Sequence, residues 1–362
     1  MQLLNTIFES AANKNSLPLK AKYERLMQDQ PKLRRRDAAE QLNVAEAKLL
    51  EAQCGLRSVR LSNKFADIIR DFPSLGYIMT LTRNDSAVHE RKGIYDNVSI
   101  NGPMGLVITP DRKIDLRIII SRWDSGFAVI EDLDSGPRYS LQFFDVEGIA
   151  IQKIYLQADS NFAAFEALVD KYCKLDSPAL TLKRDPDVIE YAADKDVDRT
   201  ALTKEWGEMS NVHQFFGLLK KHQISRVQSF RLVGAPLAQE FDPELIEPLL
   251  NEIAATDLSI MCFVGNRGNI QIHTGPINKV KTLGPWLNIL DPEFNLHLLT
   301  ANIESAWLIR KPSVDGNITS VELYDKAGET IAQFFGQREE GNPENSQWRA
   351  FAEGLIKTEA VA

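Results

Sequence analysis

GYIMTLTRNDSAVHERKGIYDNVSINGP (Gly76–Pro103) and LSIMCFVGNRGNIQIHTGPINKVKTLGP (Leu258–Pro285) are two copies of one pattern. At a shift of 182 positions Ile78 meets Ile260, Met79 meets Met261, Asn84 meets Asn266, and Gly93 meets Gly275. Gly102-Pro103 meets Gly284-Pro285 in the same frame. Further on the shift becomes 180, where IDLRIIISRWDSGFAV (Ile114–Val129) matches FNLHLLTANIESAWLI (Phe294–Ile309). SLQFFDVEGIAIQKIYL (Ser140–Leu156) then matches SVELYDKAGETIAQFFG (Ser320–Gly336), with Asp145 and Gly148 falling on Asp325 and Gly328. A repeat this long, with so small a slip, reads as a duplicated domain; solenoid repeats run to only ~20–50 residues.

Each copy reads as helices followed by strands. Ala21–Met27 and Leu33–Cys54 show helical spacing in the first copy, Ala201–His222 and Pro243–Ala255 in the second. After each helical block the period falls to two, as in Ile114-Asp-Leu-Arg-Ile and Phe294-Asn-Leu-His-Leu, with short Gly/Asp/Pro turns between runs. No helical pattern interrupts the strands, which favours antiparallel meanders over βαβ crossovers. The expected fold is therefore α+β in tandem. One repeat occupies residues 1–175, a linker rich in Asp and Pro occupies 176–200, and a second repeat occupies 201–362. The tail after Ile356 is expected to fray.

Composition narrows the function. Forty-two basic against 50 acidic residues leave a formal net charge of −8. That balance argues against a general nucleic-acid binder, which needs a basic face to displace counterions. No run of ~18 apolar residues offers a membrane span. The N-terminus is too polar for a signal peptide. Cys54, Cys173 and Cys262 are far apart and form no CxxC pair, so neither a disulfide framework nor a thiolate zinc site is expected. The simplest reading is a reduced, cytoplasmic, two-domain protein.

Catalytic motifs are scarce. HExxH, GxSxG and GxxxxGK[ST] are all absent. Gly265-Asn-Arg-Gly-Asn sits between strands and reads as a hairpin turn. His213 lies in Asn211-Val-His-Gln-Phe-Phe-Gly, at the edge of an expected apolar stripe of Val212, Phe215, Phe216 and Leu219. Gly217, one turn on, costs about 1 kcal/mol against alanine in a helix. It is either a packing notch or bare backbone that a flat ligand could approach. The first copy has no histidine before His89, so His213 is not demanded by the duplicated fold. Arg117 stands mid-strand among isoleucines and either pairs with Asp115 or a neighbouring strand, or lines a cavity. Arg226 follows the His213 helix, and Arg310-Lys311 opens a strand-end turn. Taken singly, these cations read as solvated surface charges.

Several words sharpen this picture. They are Val212-His-Gln-Phe-Phe, Phe263-Val-Gly-Asn-Arg-Gly, Ile270-Gln-Ile-His-Thr-Gly-Pro, Arg310-Lys-Pro-Ser-Val-Asp-Gly and Gln333-Phe-Phe-Gly-Gln-Arg, with Asp115-Leu-Arg and Leu141-Gln-Phe-Phe-Asp in the first copy. Together they resemble the haem-utilisation family of Gram-negative bacteria, the cytoplasmic hemin-degrading or hemin-trafficking factors of the HemS/ChuS/HmuS/PhuS type. The resemblance spans nearly the whole chain and includes the duplication. It implies two α+β repeats with large antiparallel sheets and one haem in a cleft between the halves. It also implies His213 on the iron and Arg117 facing the other side of the haem. Arg226 and Lys311 would meet the propionates, with Phe263, Gln333 and Phe335 near the haem. The family often has tyrosine at the Phe335 position and an aromatic at Ile119, and both are absent here. Two activities fit, oxidative opening of the macrocycle with release of iron, or carriage of haem from an inner-membrane importer to a separate oxygenase. No nicotinamide or flavin fingerprint is present, so electrons would come from a partner reductase or another donor. Without the resemblance, a cofactor-free interaction protein remains.

Overall fold

The computed structural model describes residues 2–11, 17–184, 189–339 and 341–359. The first repeat runs α1 (Gln2–Ser10), α2 (Leu17–Asp29), α3 (Arg35–Gln41), α4 (Glu46–Ala52), β1 (Ser58–Leu61) and α5 (Phe65–Asp71). Eight strands follow: β2 (Gly76–Arg83), β3 (Ala87–Ile94), β4 (Val98–Asn101), β5 (Met104–Ile108), β6 (Asp115–Ile119), β7 (Ser125–Leu133), β8 (Gly136–Phe144) and β9 (Ala150–Ser160). Helix α6 (Phe162–Tyr172) closes the repeat. The second repeat opens with α7 (Arg199–Gly207), α8 (Gln214–His222), α9 (Arg226–Val233), β10 (Ala238–Phe241) and α10 (Ile246–Ala254). It continues with β11 (Ile260–Gly265), β12 (Asn269–Gly275), β13 (Val280–Leu283), β14 (Trp286–Leu290), β15 (Phe294–Leu299), β16 (Ser305–Ser313), β17 (Gly316–Tyr324), β18 (Thr330–Gly336) and α11 (Ser346–Glu359). The described strands assort into two antiparallel sheets of nine, as the meander reading expects. No helix among the described residues is long and apolar enough to cross a membrane.

Two expected helices are broken. Leu33–Cys54 divides into α3 and α4 because Asn43 takes a left-handed conformation (φ 52°), and Gln223 does the same between α8 and α9 (φ 55°). Ala201–His222 divides into α7 and α8 because polar side chains capture the backbone between them. Gln214 accepts from the Ser210 and Asn211 amides, and Asn211 accepts from the His213 amide. At the other end α11 continues to Glu359, past the expected fraying point; residues 360–362 lie outside the described residues.

The chain forms two compact units. Unit 1 comprises Met1–Arg83, Glu90–Pro186 and Asn266–Gln271; unit 2 comprises Asn84–His89, Asp187–Gly265 and Ile272–Ala362. In unit 1 the strands β1-β7-β8-β9-β2-β3 lie side by side. Alternation along β7 splits the apolar residues between two faces. Ala128 and Ile130 join a core with Phe65, Ile68 and Phe165, while Phe127 and Val129 pack with Ala47 and Leu50 of α4. Unit 2 repeats the plan with β10-β16-β17-β18-β11-β12. Ala306 and Leu308 of β16 face α10 and α11; Trp307 and Ile309 face α7–α9.

Each unit is completed by a hairpin tip from the other repeat. Asn266 sits in unit 1, where its side-chain amide donates to the carbonyls of Arg83 (2.9 Å) and Ile151 (2.8 Å). Its Oδ1 accepts from the Gly268 and Asn269 amides. Asn84 does the same in unit 2. It donates to the carbonyls of Gly265 and Ile331 and accepts from the Ser86 and Ala87 amides. Gly268 is needed in its tip because a Cβ there would lie 2.6 Å from the Ile151 side chain.

Asn266→Ala should therefore destabilise the protein by about 2–4 kcal/mol, because buried carbonyls and amides lose their partners together. Urea denaturation reads this directly. Asn266→Asp should also destabilise, since a carboxylate accepts but cannot donate. A loss below about 0.5 kcal/mol in both variants would show that the tip is not held by this side chain.

Candidate functional site

The helical cover of unit 2 presents His213. The residue stands immediately before α8, not inside a longer helix, and it is exposed. The stripe that packs inward is Phe215, Leu218 and Leu219, with the Phe215 ring 4.7 Å from that of Trp206. Phe216, expected inside, is 73% exposed. One turn beyond His213, a Cβ on Gly217 would touch nothing within 4 Å, so this glycine is not a packing notch. His213, Phe216 and Gly217 thus share one outward face at helical spacing i, i+3, i+4. It offers an imidazole, a phenyl ring and bare backbone. His222 is engaged elsewhere, with Nε2 3.2 Å from Glu205.

On the inward side of α8, against Phe215, lies a polar cluster. Ser225 and Gln228 form a capping box that starts α9 at Arg226. Arg226 donates to Tyr324 (3.1 Å) and to Glu322 (3.3 Å). Lys311 belongs to the body of β16, not to a strand-end turn, and is only 4% exposed. It is not a solvated surface charge, because its ammonium donates to Glu322 at 2.5 Å. Gln333 on β18 donates to the same carboxylate (2.7 Å), as do Ser320 and Tyr324. The Phe215 ring lies under both cations, 5.2 Å from the Arg226 guanidinium and 4.9 Å from Lys311 Nζ. Register continues this sheet face outward, since Gln333 pairs with Glu322 and with Phe263, and Ser320 pairs with Phe335. The Phe263 and Phe335 rings meet edge to face at 5.0 Å, half-buried.

Glu322 organises the cluster. Burial alone would push its carboxyl up, but Lys311 and Arg226 outweigh burial and hold it far below the ordinary carboxylate range. Burial would lower Arg226, and Glu322 reverses that. Burial also depresses Lys311, and Glu322 does not fully compensate. Motif reading missed Glu322. Its signal was a carboxylate at the period-two position between Ser320 and Tyr324, on the same strand face.

The first repeat places counterparts at the same positions with inverted charge. At the shift of 180, Phe215 corresponds to Arg35, Arg226 to Glu46, Lys311 to Glu131, Glu322 to Gln142, Gln333 to Lys153 and Phe335 to Tyr155. These residues meet in unit 1. Arg83 (2.6 Å) and Lys153 pair with Glu46, and Arg35 (2.8 Å) and Arg138 (2.9 Å) pair with Glu131. Burial raises Glu46, but Lys153 and Arg83 bring it down to about 2. The His213 position is taken by Leu33, packed against the Tyr23–Leu49 cluster. Unit 1 therefore offers no imidazole there.

Arg117 belongs to β6 of unit 1, and it takes the first of its two readings. Its guanidinium pairs with buried Asp115, which also receives Arg112 at 3.2 Å. The side chain remains 32% exposed, opposite Leu106 in the register and beside exposed Met104. A surface depression of about 700 Å³ lined by Ser259, Arg338 and Asn345 holds none of the residues picked from sequence. The convergent chemistry around Glu322 is the stronger candidate, because flat ligands bind to faces as well as hollows.

Comparison with known proteins gives the family. The family model described as the haemin-degrading HemS.ChuX domain matches twice, at residues 43–172 and 223–355. The hemin transport protein HmuS of Yersinia pestis is 39% identical, over 90% of this chain and 94% of its own. HemS of Yersinia enterocolitica is also 39% identical, over 91% and 96%. Holo-PhuS, a heme-binding protein from Pseudomonas aeruginosa, superimposes with a TM-score of 0.91 at 40% identity, covering 94% of this chain and 99% of its own. ChuS, described as an E. coli heme oxygenase, gives 0.84 at 38% identity over 93% and 99%. With two tandem matches, full-length relatives and two sheets of the same plan, the chain belongs to the haemin-degrading HemS/ChuX family.

Proposed function

We propose that this chain is a cytoplasmic haem-binding protein of bacterial haem-iron acquisition. It takes one haem, with His213 as the iron ligand, and opens the macrocycle oxidatively to release iron. The observation that carries the reading is the outward face of His213, Phe216 and Gly217 on a helix that packs through Phe215 on the Arg226–Lys311–Glu322 cluster, where the first repeat has Leu33, Glu46 and Glu131 in place of His213, Arg226 and Lys311. Imidazole is a standard haem-iron ligand, and the haem supplies the redox chemistry once bound. Phe216 and the Gly217 backbone offer flat apolar contact. Arg226 is the cation with exposure to spare for a propionate, whereas Lys311 acts through the charge it lends the cluster. Phe263 and Phe335 border the apolar edge, and Phe335 lacks the hydroxyl that a tyrosine would add. Arg117 is assigned to the opposite side of the haem, where its fixed charge stabilises developing negative charge. The residues that hold haem would serve a carrier equally well. The ChuS comparison, described as a heme oxygenase, favours degradation.

The deciding experiment loads haem anaerobically, then adds oxygen and reductant with catalase present. Loss of the Soret band to a defined tetrapyrrole supports the oxygenase. Persistence of the band with transfer to an acceptor supports a carrier.

His213→Ala should shift the Soret maximum, change the spin state and speed haem transfer to an apo-globin. His222→Ala should change none of these, because that ring is tied to Glu205. A wild-type spectrum and off-rate in His213→Ala would overturn the ligand assignment.

Arg117→Ala should leave the iron–imidazole spectrum in place but slow oxygen-dependent turnover by about tenfold or more, the weight of a charged hydrogen bond at ~1.5–3 kcal/mol. The pH-dependent transition of the ferric spectrum should move to higher pH. A nearby cation favours the deprotonated form, and its loss also leaves Asp115 less compensated. Equal losses of affinity in Arg117→Ala and His213→Ala, with no pH effect, would make Arg117 a structural or propionate contact.

A further inference from the structure

Arg226 and Lys311 carry two positive charges, and Glu322 already answers one of them. The carboxylate is wholly buried and receives five side chains: Lys311 and Ser320 on Oε1, and Arg226, Tyr324 and Gln333 on Oε2. A carboxylate has about four acceptor sites, so this one is saturated. An arriving anion must share Arg226 and Lys311 with a carboxylate that already holds them. The first repeat provides an internal comparison, with neutral Gln142, also fully buried, at the Glu322 position. Unit 1 thus buries the amide isostere at the matching position, against Ser140 and Arg35.

We infer that Glu322 is an internal competitor for the ligand's carboxylate. It holds Arg226 and Lys311 in place, leaves the cluster one net positive charge, and so sets how readily haem is released. The inference rests on the reading that haem binds at this face. One net charge matches one propionate, so occupancy brings the cluster to neutrality. Without Glu322 two uncompensated cations would bind a propionate more tightly than a protein that must give up its haem, or its product, can use. Glu322 is thus a positioning and release-setting residue. It differs in sign from a structural support, whose loss would loosen the ligand.

The test compares full-length wild-type and Glu322→Gln proteins, each loaded with one equivalent of ferric haem and mixed with excess apo-globin. The same measurement is made with haem dimethyl ester, which lacks the propionate charges. Glu322→Gln should release haem about tenfold more slowly, while release of the ester changes by less than about twofold. Equal or faster haem release, or the same change for the ester, would overturn the inference. Glu322→Asp should restore wild-type release. Should Glu322→Gln fail to fold around an unpaired Lys311, the double variant Glu322→Gln/Lys311→Gln keeps one net positive charge. Its release should lie within about threefold of wild type, and a larger difference would count against the inference. If the wild-type protein takes up no haem, the haem reading itself falls, an outcome distinct from a wild-type protein that binds haem and a variant that releases it unchanged.

Discussion

Two half-buried asparagines hold this fold together. Asn84 and Asn266 occupy matching positions in the repeats, and each uses both ends of its amide on the backbone of a hairpin tip and its neighbours. Backbone carbonyls buried at such a junction need a donor, and a side chain that donates and accepts at once is almost confined to Asn and Gln. The tips carry the exchange further. The Ser86 carbonyl accepts from Leu299 in unit 2, and the Gly268 carbonyl accepts from Ile119 and the Trp123 indole in unit 1. Each compact unit thus contains a piece of the other repeat. A duplicated chain wired in this way is free to change its helical cover but not its hairpin tips.

The helical cover is where the repeats have diverged. The breaks are shared, with Asn43 and Gln223 both left-handed and α4 and α9 starting at equivalent residues. On that common frame the first repeat buries Arg35 between Glu46 and Glu131 territory, while the second buries Phe215 under Arg226 and Lys311. Burying a charge without a partner costs several kcal/mol, so each cover had to supply partners for its own buried charges. The first pairs each of its acids, Glu46 and Glu131, with two cations and keeps two positive charges over. The second did so with a single carboxylate and kept one positive charge over. A protein of formal net charge −8 can then attract a dianionic ligand, because what acts at short range is the local excess.

Much of this was legible in the sequence, for physical reasons. Repeats and period-two strands are written in side-chain polarity, so the α+β duplication and the meander could be read directly. Phe263, Gln333 and Phe335 share a sheet face because alternation is strict. Helix breaks were not legible, because Asn43 acts through a left-handed backbone and Asn211 and Gln214 through side-chain bonds to nearby amides, all of which leave the apolar period almost intact. The error at Phe216 followed from that. Once the helix starts at Gln214, the inward stripe shifts to Phe215, Leu218 and Leu219, and Phe216 turns out. Lys311 looked like a surface charge because its partner Glu322 is eleven residues away across a hairpin. A buried ion pair between strands leaves no local pattern. The exchange of hairpin tips left none either, since Asn84 and Asn266 read as ordinary turn residues.

The missing tyrosine at Phe335 and the added weight of Glu322 belong to one electrostatic argument. A phenol at position 335 would offer a neutral donor beside Ser320, adding hold on a carboxylate without adding charge. Phenylalanine keeps the edge-to-face contact with Phe263 and gives that hold up. On the proposed reading, what remains to retain a propionate is Arg226, shared with Glu322 and Tyr324, and the field of Lys311 behind it. Both features act in the same direction. A binding face assembled from an exposed imidazole, an exposed ring and shared cations favours exchange of its ligand over permanent retention. A prosthetic group held for life would be enclosed. A flat ligand that arrives, reacts or is passed on needs a face that lets it go.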